Sequence, residues 1–279
     1  MGEPLLGAPW AQAIVRAAEG AAGLPLRKLI LAKPEELGRT ATLQPTLLLV
    51  EWLFFEVLIR QGIAPGAVAG HSLGEFAALS AAEALPWKEA VRLVALRGQL
   101  MEEGARDHLG GMLAVLGLTP EQVAGEAHDA GCFVANYNSP GQTVLSGDTA
   151  ALAVVAEQIK AKGGKAVPLP VAGAFHSPYM ATANEKFALG LAQAPIGPLT
   201  VPFISSVSGR LETDPDQIRL LLSQQMTSPV RWTDALATLV SLGVEEAVEV
   251  GPGEVLARLG RRTTPCVRFR TLKEVVGNV

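Results

Sequence analysis

Cysteine is scarce in this chain: Cys132 and Cys266 are the only two among 279 residues. Two thiols cannot build a disulfide framework or a four-cysteine zinc site, so a reducing, cytoplasmic setting is expected. A surplus of positive charge is also absent. Lys plus Arg number 23 and Asp plus Glu 27, a net charge of −4, which offers nothing to a nucleic-acid backbone. Charged residues make up only 18%, too few for a disordered chain, while 49% hydrophobic residues suffice for a sizeable core. Long uncharged apolar runs are missing. The most apolar stretch, Thr46 to Ile59, carries Glu51 and Glu56 and falls short of the roughly 18 residues that cross a bilayer. The N-terminus has no basic region ahead of an apolar one, so neither signal peptide nor membrane attachment is expected. No internal repeat and no low-complexity segment occurs.

What is present is an alternation of helical and short apolar segments, the pattern of a parallel α/β core. The spacing predicts a helix over Leu43 to Gln61, with Thr42 as cap and Pro45 in its first turn. A short strand is expected at Pro65 to Ala69, then helices at Leu73 to Ala82 and from Trp87 to a stop at Gly104. The next segment reads differently. A strand at Met112 to Leu118 leads into a helix at Thr119 to Ala130, with Thr119 as N-cap and Pro120 at N1. Strands at Cys132 to Asn136 and Thr143 to Ser146 flank the turn-rich NSPGQ, before a helix at Asp148 to Lys162 and a strand at Ala166 to Val171. The order βαββαβ is that of a ferredoxin-like unit. We therefore expect a small subdomain at 112–174 inserted into a large core of 1–111 and 175–279. Beyond it the pattern predicts helices near Pro178–Gln193, Pro215–Met226 and Trp232–Leu242. Strands are expected near Pro202–Val207 and Glu246–Val250, with a helix opening near Glu254.

Chemistry concentrates in Gly70-His71-Ser72-Leu73-Gly74, a G-x-S-x-G motif between a predicted strand and helix. A sharp turn there needs small residues at 70 and 74 and projects the Ser72 hydroxyl at the mouth of the sheet. The helix N-terminus supplies positive potential and the Leu73 N–H, one half of an oxyanion hole. The competing reading is a capping box between Ser72 and Glu75. A serine nucleophile needs a base. Of four histidines, His71 adjoins Ser72 and should point elsewhere, and His108 and His128 lie in polar stretches. His176, between an apolar strand and a helix, sits where such folds place functional groups. No histidine occupies the late position usual in esterases, which favours a Ser72–His176 dyad over an ordinary esterase.

Arg97 is out of place. It shares a helical stripe with Leu93, Val94, Leu100 and Met101 and so projects inward. A buried guanidinium needs an acceptor, either a structural Asp or Glu or a substrate carboxylate. The helix alone favours the structural pair, although the planar fork suits a carboxylate ligand well.

Taken together, GHSLGEFAALSAAEAL, VRLVALRGQLMEE, NYNSPGQTVLSG, GAFHSPYM, SPVRW and EVGPGEVL resemble the malonyl-CoA:acyl carrier protein transacylases and polyketide synthase acyltransferase domains. The resemblance covers nearly the whole chain. It implies an α/β-hydrolase-like core with a ferredoxin-like insertion, Ser72 as acyl-carrying nucleophile, His176 as its base and Arg97 as the seat of the malonyl carboxylate. It implies that the Gln225 main-chain carbonyl orients the histidine in place of an acid. Gln44, His71, Asn138 and Phe175 match positions near the family's pocket, and bulk at Phe175 suggests malonyl over 2-methyl substrates. The substrate implied is malonyl-CoA, and the partner an acyl carrier protein with its phosphopantetheine thiol. No bound cofactor or metal is implied, and a monomer is the default.

Family members begin with a strand and a G-Q-G-S-Q-like loop that completes the oxyanion hole, whereas this sequence starts at Met1-Gly2, past that point. The N-terminal strand is thus expected to be missing, and a start assigned downstream of the true one is the reading adopted. A thioester hydrolase on the same dyad and a non-catalytic carrier-binding fragment are the alternatives. A carrier protein is acidic, so Arg258, Arg261, Arg262, Arg268, Arg270 and Lys273 form a candidate docking cluster, against the alternative of a solvated tail with scattered charge. Fatty acid and polyketide pathways are not distinguished.

Overall fold

The computed structural model describes residues 2–33 and 37–277. Helices α1 (Pro9–Ala22), α2 (Leu26–Ile30) and α3 (Thr40–Arg60) precede β1 (Val68–Ala69), α4 (Gly74–Ala81) and α5 (Trp87–Asp107). Then come β2 (Gly110–Leu116), α6 (Pro120–Asp129), β3 (Phe133–Ser139), β4 (Gln142–Asp148), α7 (Thr149–Ala161) and β5 (Lys165–Pro168). The chain continues through α8 (Ala181–Ala192), β6 (Phe203–Ile204), β7 (Leu211–Glu212), α9 (Pro215–Gln224) and α10 (Trp232–Ser241). It ends with β8 (Glu246–Glu249), α11 (Val255–Thr263), β9 (Arg268–Thr271) and α12 (Leu272–Val276).

The architecture is mixed α/β. One sheet has the order β1–β6–β7, its first pair parallel and its second antiparallel. A second sheet, β3–β4–β2–β5, is antiparallel throughout. β8 and β9 form a separate parallel pair. The purely parallel core expected from the alternation is thus corrected: β7 turns back on β6 through a Gly209 turn that the sequence reading passed over. β9 was missed because Arg268-Phe269-Arg270-Thr271 looks like surface charge. Its alternation instead buries Phe269 and exposes Arg268.

β2 is apolar along nearly its whole length because both of its faces are covered. Leu113 and Val115 pack with Val123, Leu145, Val155 and Ile159 into the small unit's own core. Met112 and Ala114 join the main core of Leu49, Leu53, Phe76, Leu93, Phe187 and Phe203. α6 starts as predicted: Thr119 caps Gln122, whose side chain bonds back to the Thr119 N–H. α3 does not. It begins at Thr40 rather than beside Thr42, whose hydroxyl donates to the Arg39 carbonyl, while Glu102 accepts from the Arg39 side chain and the Ala41 N–H.

By length and composition α3 could cross a membrane, yet more than half of its most apolar window is buried in the protein, with α5 packed along it. Gly104 does not stop α5, which runs on to Asp107. A methyl group at 104 would lie 3.2 Å from Met180 Cε, so the glycine is there for close packing. Gly98 is more tightly held: a Cβ would lie 2.6 Å from the Thr40 carbonyl oxygen of α3. This contact fixes the height of α5 against α3 and therefore the position of its neighbour Arg97. Gly98→Ala is expected to destabilise the protein by about 1–3 kcal/mol through overpacking. A thermal melt checks it; an unchanged or raised midpoint would contradict the close helix contact.

Candidate active site

The chain leaves β1 at Ala69 and enters α4 at Gly74, with only four residues to reverse from strand to helix. Ser72 has φ 52°, a left-handed conformation that costs a non-glycine residue on the order of 1–3 kcal/mol. Gly70 is obligatory, since a Cβ there would lie 2.0 Å from the Gly74 carbonyl carbon and 2.2 Å from the Glu75 nitrogen. At Gly74 a Cβ would meet nothing within 4 Å, so the sequence argument for a small residue holds at 70 and not at 74. The capping-box alternative is not formed. The Ser72 side chain does not cap α4, and Glu75 is buried among Ser205, Ser206 and Gln225.

The strained turn aims Ser72 Oγ at two groups from distant segments. His176 Nε2 lies at 2.8 Å and Arg97 Nη2 at 2.9 Å. His176 is also left-handed, with φ 56°, in the segment between β5 and α8. Its Nδ1 lies 3.0 Å from both the Gln225 and the Ser228 carbonyl oxygens. Two carbonyls can only accept, so Nδ1 carries the proton and Nε2 presents a lone pair to the serine hydroxyl. Burial, then Arg97 and His71, push the imidazole pKa down to about 3, against the pull of the two carbonyls. His176 is therefore a neutral, oriented base. Gln225 occupies the place expected of it, and Ser228 is a second carbonyl that no side-chain pattern announces.

Arg97 is 1% exposed. The ion pair that the helix alone favoured is absent: among the described residues no carboxylate lies within ion-pair distance. Its partners are the Gln225 Oε1 at 3.0 Å from Nε, Gln44 Oε1 at 2.6 Å from Nη1, and Ser72 Oγ. They come from three separate stretches of chain, which is why helix periodicity found the direction of Arg97 and not its company. Burial lowers its pKa to about 10, opposed by Glu75, so it stays cationic. Of five N–H groups three are engaged, leaving one on each terminal nitrogen for a ligand. The Leu73 N–H, at the start of α4, has no acceptor among the described residues and faces out of the helix N-terminus.

His71 points away from Ser72, as expected. Its Nε2 meets Asn138 Oδ1 at 2.9 Å and its ring stands edge-on to Trp232 at 5.6 Å. Asn138 belongs to β3, so this pair ties the nucleophile turn to the small sheet, alongside main-chain bonds between Ala135, Tyr137 and Val230. Beside His176 a groove of about 390 Å³ runs between Phe133, Val134, Tyr137, Pro178, Thr227 and Pro229. Phe175 packs into the main core and does not line this groove, which leaves out Ser72 and Arg97 as well. A larger cavity of about 530 Å³, near Gly251 and Lys273, contains none of these groups.

Within the basic cluster Arg258 pairs with Glu254, Arg261 with Glu274, and Arg268 and Arg270 share Glu246, so three carboxylates stand against its six cations. The sequence reading missed Glu75 altogether as a site residue; its place in the strand-to-helix turn was the available signal.

The depressed pKa has a signed consequence. An unfolded histidine takes up its proton near pH 6.5 and the folded His176 only near 3, so its contribution to stability is complete above about 6.5 and lost as pH falls towards 3. The His176 Cε1 resonance is expected to stay constant between pH 8 and about 5. A titration midpoint near the ordinary histidine value would overturn the assignment of a dry imidazole beside a cation.

A family model described as acyl transferase domain matches residues 1–278. Malonyl CoA-acyl carrier protein transacylase of Escherichia coli (strain K12) is 38% identical over 264 residues, covering 92% of this chain and 85% of the relative. The crystal structure of malonyl CoA-acyl carrier protein transacylase from Clostridium perfringens superposes with a TM-score of 0.92 at 31% identity, covering 97% of this chain and 88% of that one. A malonyl-transacylase solved in complex with its type II PKS acyl-carrier protein gives 0.89 at 33% identity, with coverages of 96% and 88%.

Proposed function

Because the chain belongs to the acyl transferase domain family, we propose that it moves a malonyl group from malonyl-CoA to the phosphopantetheine thiol of an acyl carrier protein through an ester on Ser72. The observation that carries this is the double contact of Ser72 Oγ, with a neutral imidazole at 2.8 Å and a buried guanidinium at 2.9 Å. The first makes the hydroxyl a nucleophile; the second marks where an acid-bearing acyl group is held.

In the first half-reaction His176 Nε2 takes the Ser72 proton while Oγ attacks the thioester carbonyl. The tetrahedral oxyanion develops beside the Leu73 N–H and the α4 N-terminus, fixed donors that need no reorganisation. The C–S bond breaks, the CoA sulfur takes the proton from His176, and malonyl-Ser72 remains. In the second half the carrier's thiol gives its proton to Nε2 and attacks the ester, and Ser72 Oγ recovers the proton as it leaves. The malonyl carboxylate takes the two open N–H groups of Arg97 as a bidentate pair. Gln44 and Gln225 hold the guanidinium plane, while the Gln225 and Ser228 carbonyls keep the imidazole in its reactive tautomer. His71 and Asn138 brace the turn against the small sheet.

The strand order β3–β4–β2–β5, with α6 and α7 packed on one face, supports reading 112–174 as a ferredoxin-like subdomain. The turn between β1 and α4 supports an α/β-hydrolase-like core at 1–111 and 175–279. Free thiols at Cys132 and Cys266 suit a cytoplasmic enzyme.

Intact-mass analysis after mixing with malonyl-CoA is expected to show a malonyl increment that maps to Ser72, is discharged by holo carrier protein and is absent in Ser72→Ala. Release of free malonate without carrier would mean a hydrolase; carrier binding without any increment would mean a non-catalytic subunit. Arg97→Ala is expected to slow malonyl loading by about 10²-fold or more, the usual cost of truncating a buried charged contact. Loading from acetyl-CoA, which has no carboxylate, should suffer far less. Equal losses on both would remove Arg97 from recognition.

A further inference from the structure

Glu75 is 1% exposed and makes no hydrogen bond to Ser72 Oγ, His176 or Arg97 among the described residues. Every group that touches it donates. Oε1 accepts from the Ser205 hydroxyl at 2.8 Å and the Ser206 N–H at 2.7 Å, and Oε2 accepts from Gln225 Nε2. Ser205 Oγ itself accepts from the Val207 N–H, which leaves its proton for Glu75. Gln225 then carries three further contacts. Its Nε2 also donates to the Ser72 carbonyl at 3.0 Å, its Oε1 accepts from Arg97 Nε, and its main-chain oxygen accepts from His176 Nδ1.

A carboxamide has one accepting end and one donating end, and exchanging them leaves its shape unchanged. Only one orientation of Gln225 serves Arg97: oxygen towards the guanidinium, nitrogen towards Glu75. We propose that Glu75 is a positioning residue for malonyl recognition. By accepting at both oxygens it locks the Gln225 amide with Oε1 on Arg97, and so holds the guanidinium on Ser72. The arrangement also places a carboxyl group one amide away from Arg97 without an ion pair, so the open N–H groups are left for the substrate. Burial raises the Glu75 pKa, and the Gln225, Ser205 and Ser206 donors together with Arg97 oppose that rise.

Glu75→Gln separates this role from simple packing, because the two side chains have nearly the same shape. If the new carboxamide keeps its oxygen on the immovable Ser206 N–H, its NH₂ faces Gln225 Nε2, donor against donor. Gln225 then either keeps a donor facing a donor or turns over, which breaks its bond to the Ser72 carbonyl and presents its own NH₂ to Arg97. If the new amide is reversed, its NH₂ meets the Ser206 N–H instead. Either way one buried donor is unpaired, a loss that typically amounts to about tenfold or more in an equilibrium or rate. The His176 contact suffers less, since it runs through the Gln225 main chain.

This inference rests on Ser72 and Arg97 acting as described above. The test compares single-turnover loading of Ser72 from malonyl-CoA and from acetyl-CoA in the full chain and in E75Q, alongside thermal melts. E75Q is expected to narrow the malonyl-to-acetyl ratio by about tenfold or more. Equal loss on both substrates, or no loss on either, overturns the positioning role. If E75Q does not fold, Ser205→Ala removes one of the three donors to Glu75 without touching Gln225. A smaller narrowing of the ratio supports the role, and an unchanged ratio overturns it. Failure of the unaltered chain to load from malonyl-CoA would instead sink the transferase reading itself.

Discussion

A guanidinium with no ion-paired carboxylate among the described residues, kept dry by neutral acceptors, is what the site is built around. Removing such an ion from water costs several kcal/mol unless its donors are met. Here Gln44, Gln225 and Ser72 meet three of them, and each requires a different part of the fold to be in register. Gln44 arrives in the first turns of α3, so the contact of that helix with Gly98 sets how far Arg97 reaches. Gln225 arrives where α9 tightens into a 3₁₀ turn, and Ser72 arrives by the strained elbow. A shift in any one leaves a buried donor unpaired.

Backbone strain follows the same logic. Among the described residues three non-glycine residues have positive φ, Ser72, Glu83 and His176, and two of them are the pair that shares a hydrogen bond. Neither conformation is a local preference, and in an isolated peptide both would relax. Ser72 is pinned through its carbonyl, which accepts from the Glu75 N–H and the Gln225 side chain. His176 is pinned by two carbonyls on its ring. The opposed strains are thus held by the side chain and main chain of one residue, Gln225, which also bonds Arg97.

What could be read in the sequence divides along the range of the interactions. Local rules worked: the Thr119 cap, the apolar strand that became β2, the inward face of Arg97, and the G-x-S-x-G turn. The Ser72–His176 pair was reached by eliminating the other histidines and the Gln225 carbonyl by resemblance, since nothing in the spacing of residues 72, 176 and 225 brings them together. Local rules failed where a distant partner competed. Ser72 and Glu75 have the spacing of a capping box, yet Ser205, Ser206 and Gln225 outbid the helix end for the carboxylate. Gly104 has the look of a helix stop, yet Met180 needs the space alongside a helix that continues. β9 shows the same limit: its alternate Arg268 and Arg270 read as surface charge until both are seen to pair with Glu246 of the neighbouring strand.

The electrostatics connect resting and working states. The Arg97 charge lowers the basicity of His176, the group proposed to take the Ser72 proton. It also engages Ser72 Oγ as a donor, holding electron density that attack requires. Both effects oppose catalysis while no substrate is present. A malonyl carboxylate on the open N–H groups offsets much of the guanidinium's field at that range. The imidazole becomes more basic and the hydroxyl less restrained when the acyl group is in place. An acyl chain without a carboxylate supplies no such compensation and meets a weaker base. If Arg97 holds the malonyl carboxylate as proposed, selectivity has two physical sources: the contacts that Arg97 makes with the ligand, and the release of the dyad from Arg97 once those contacts are made.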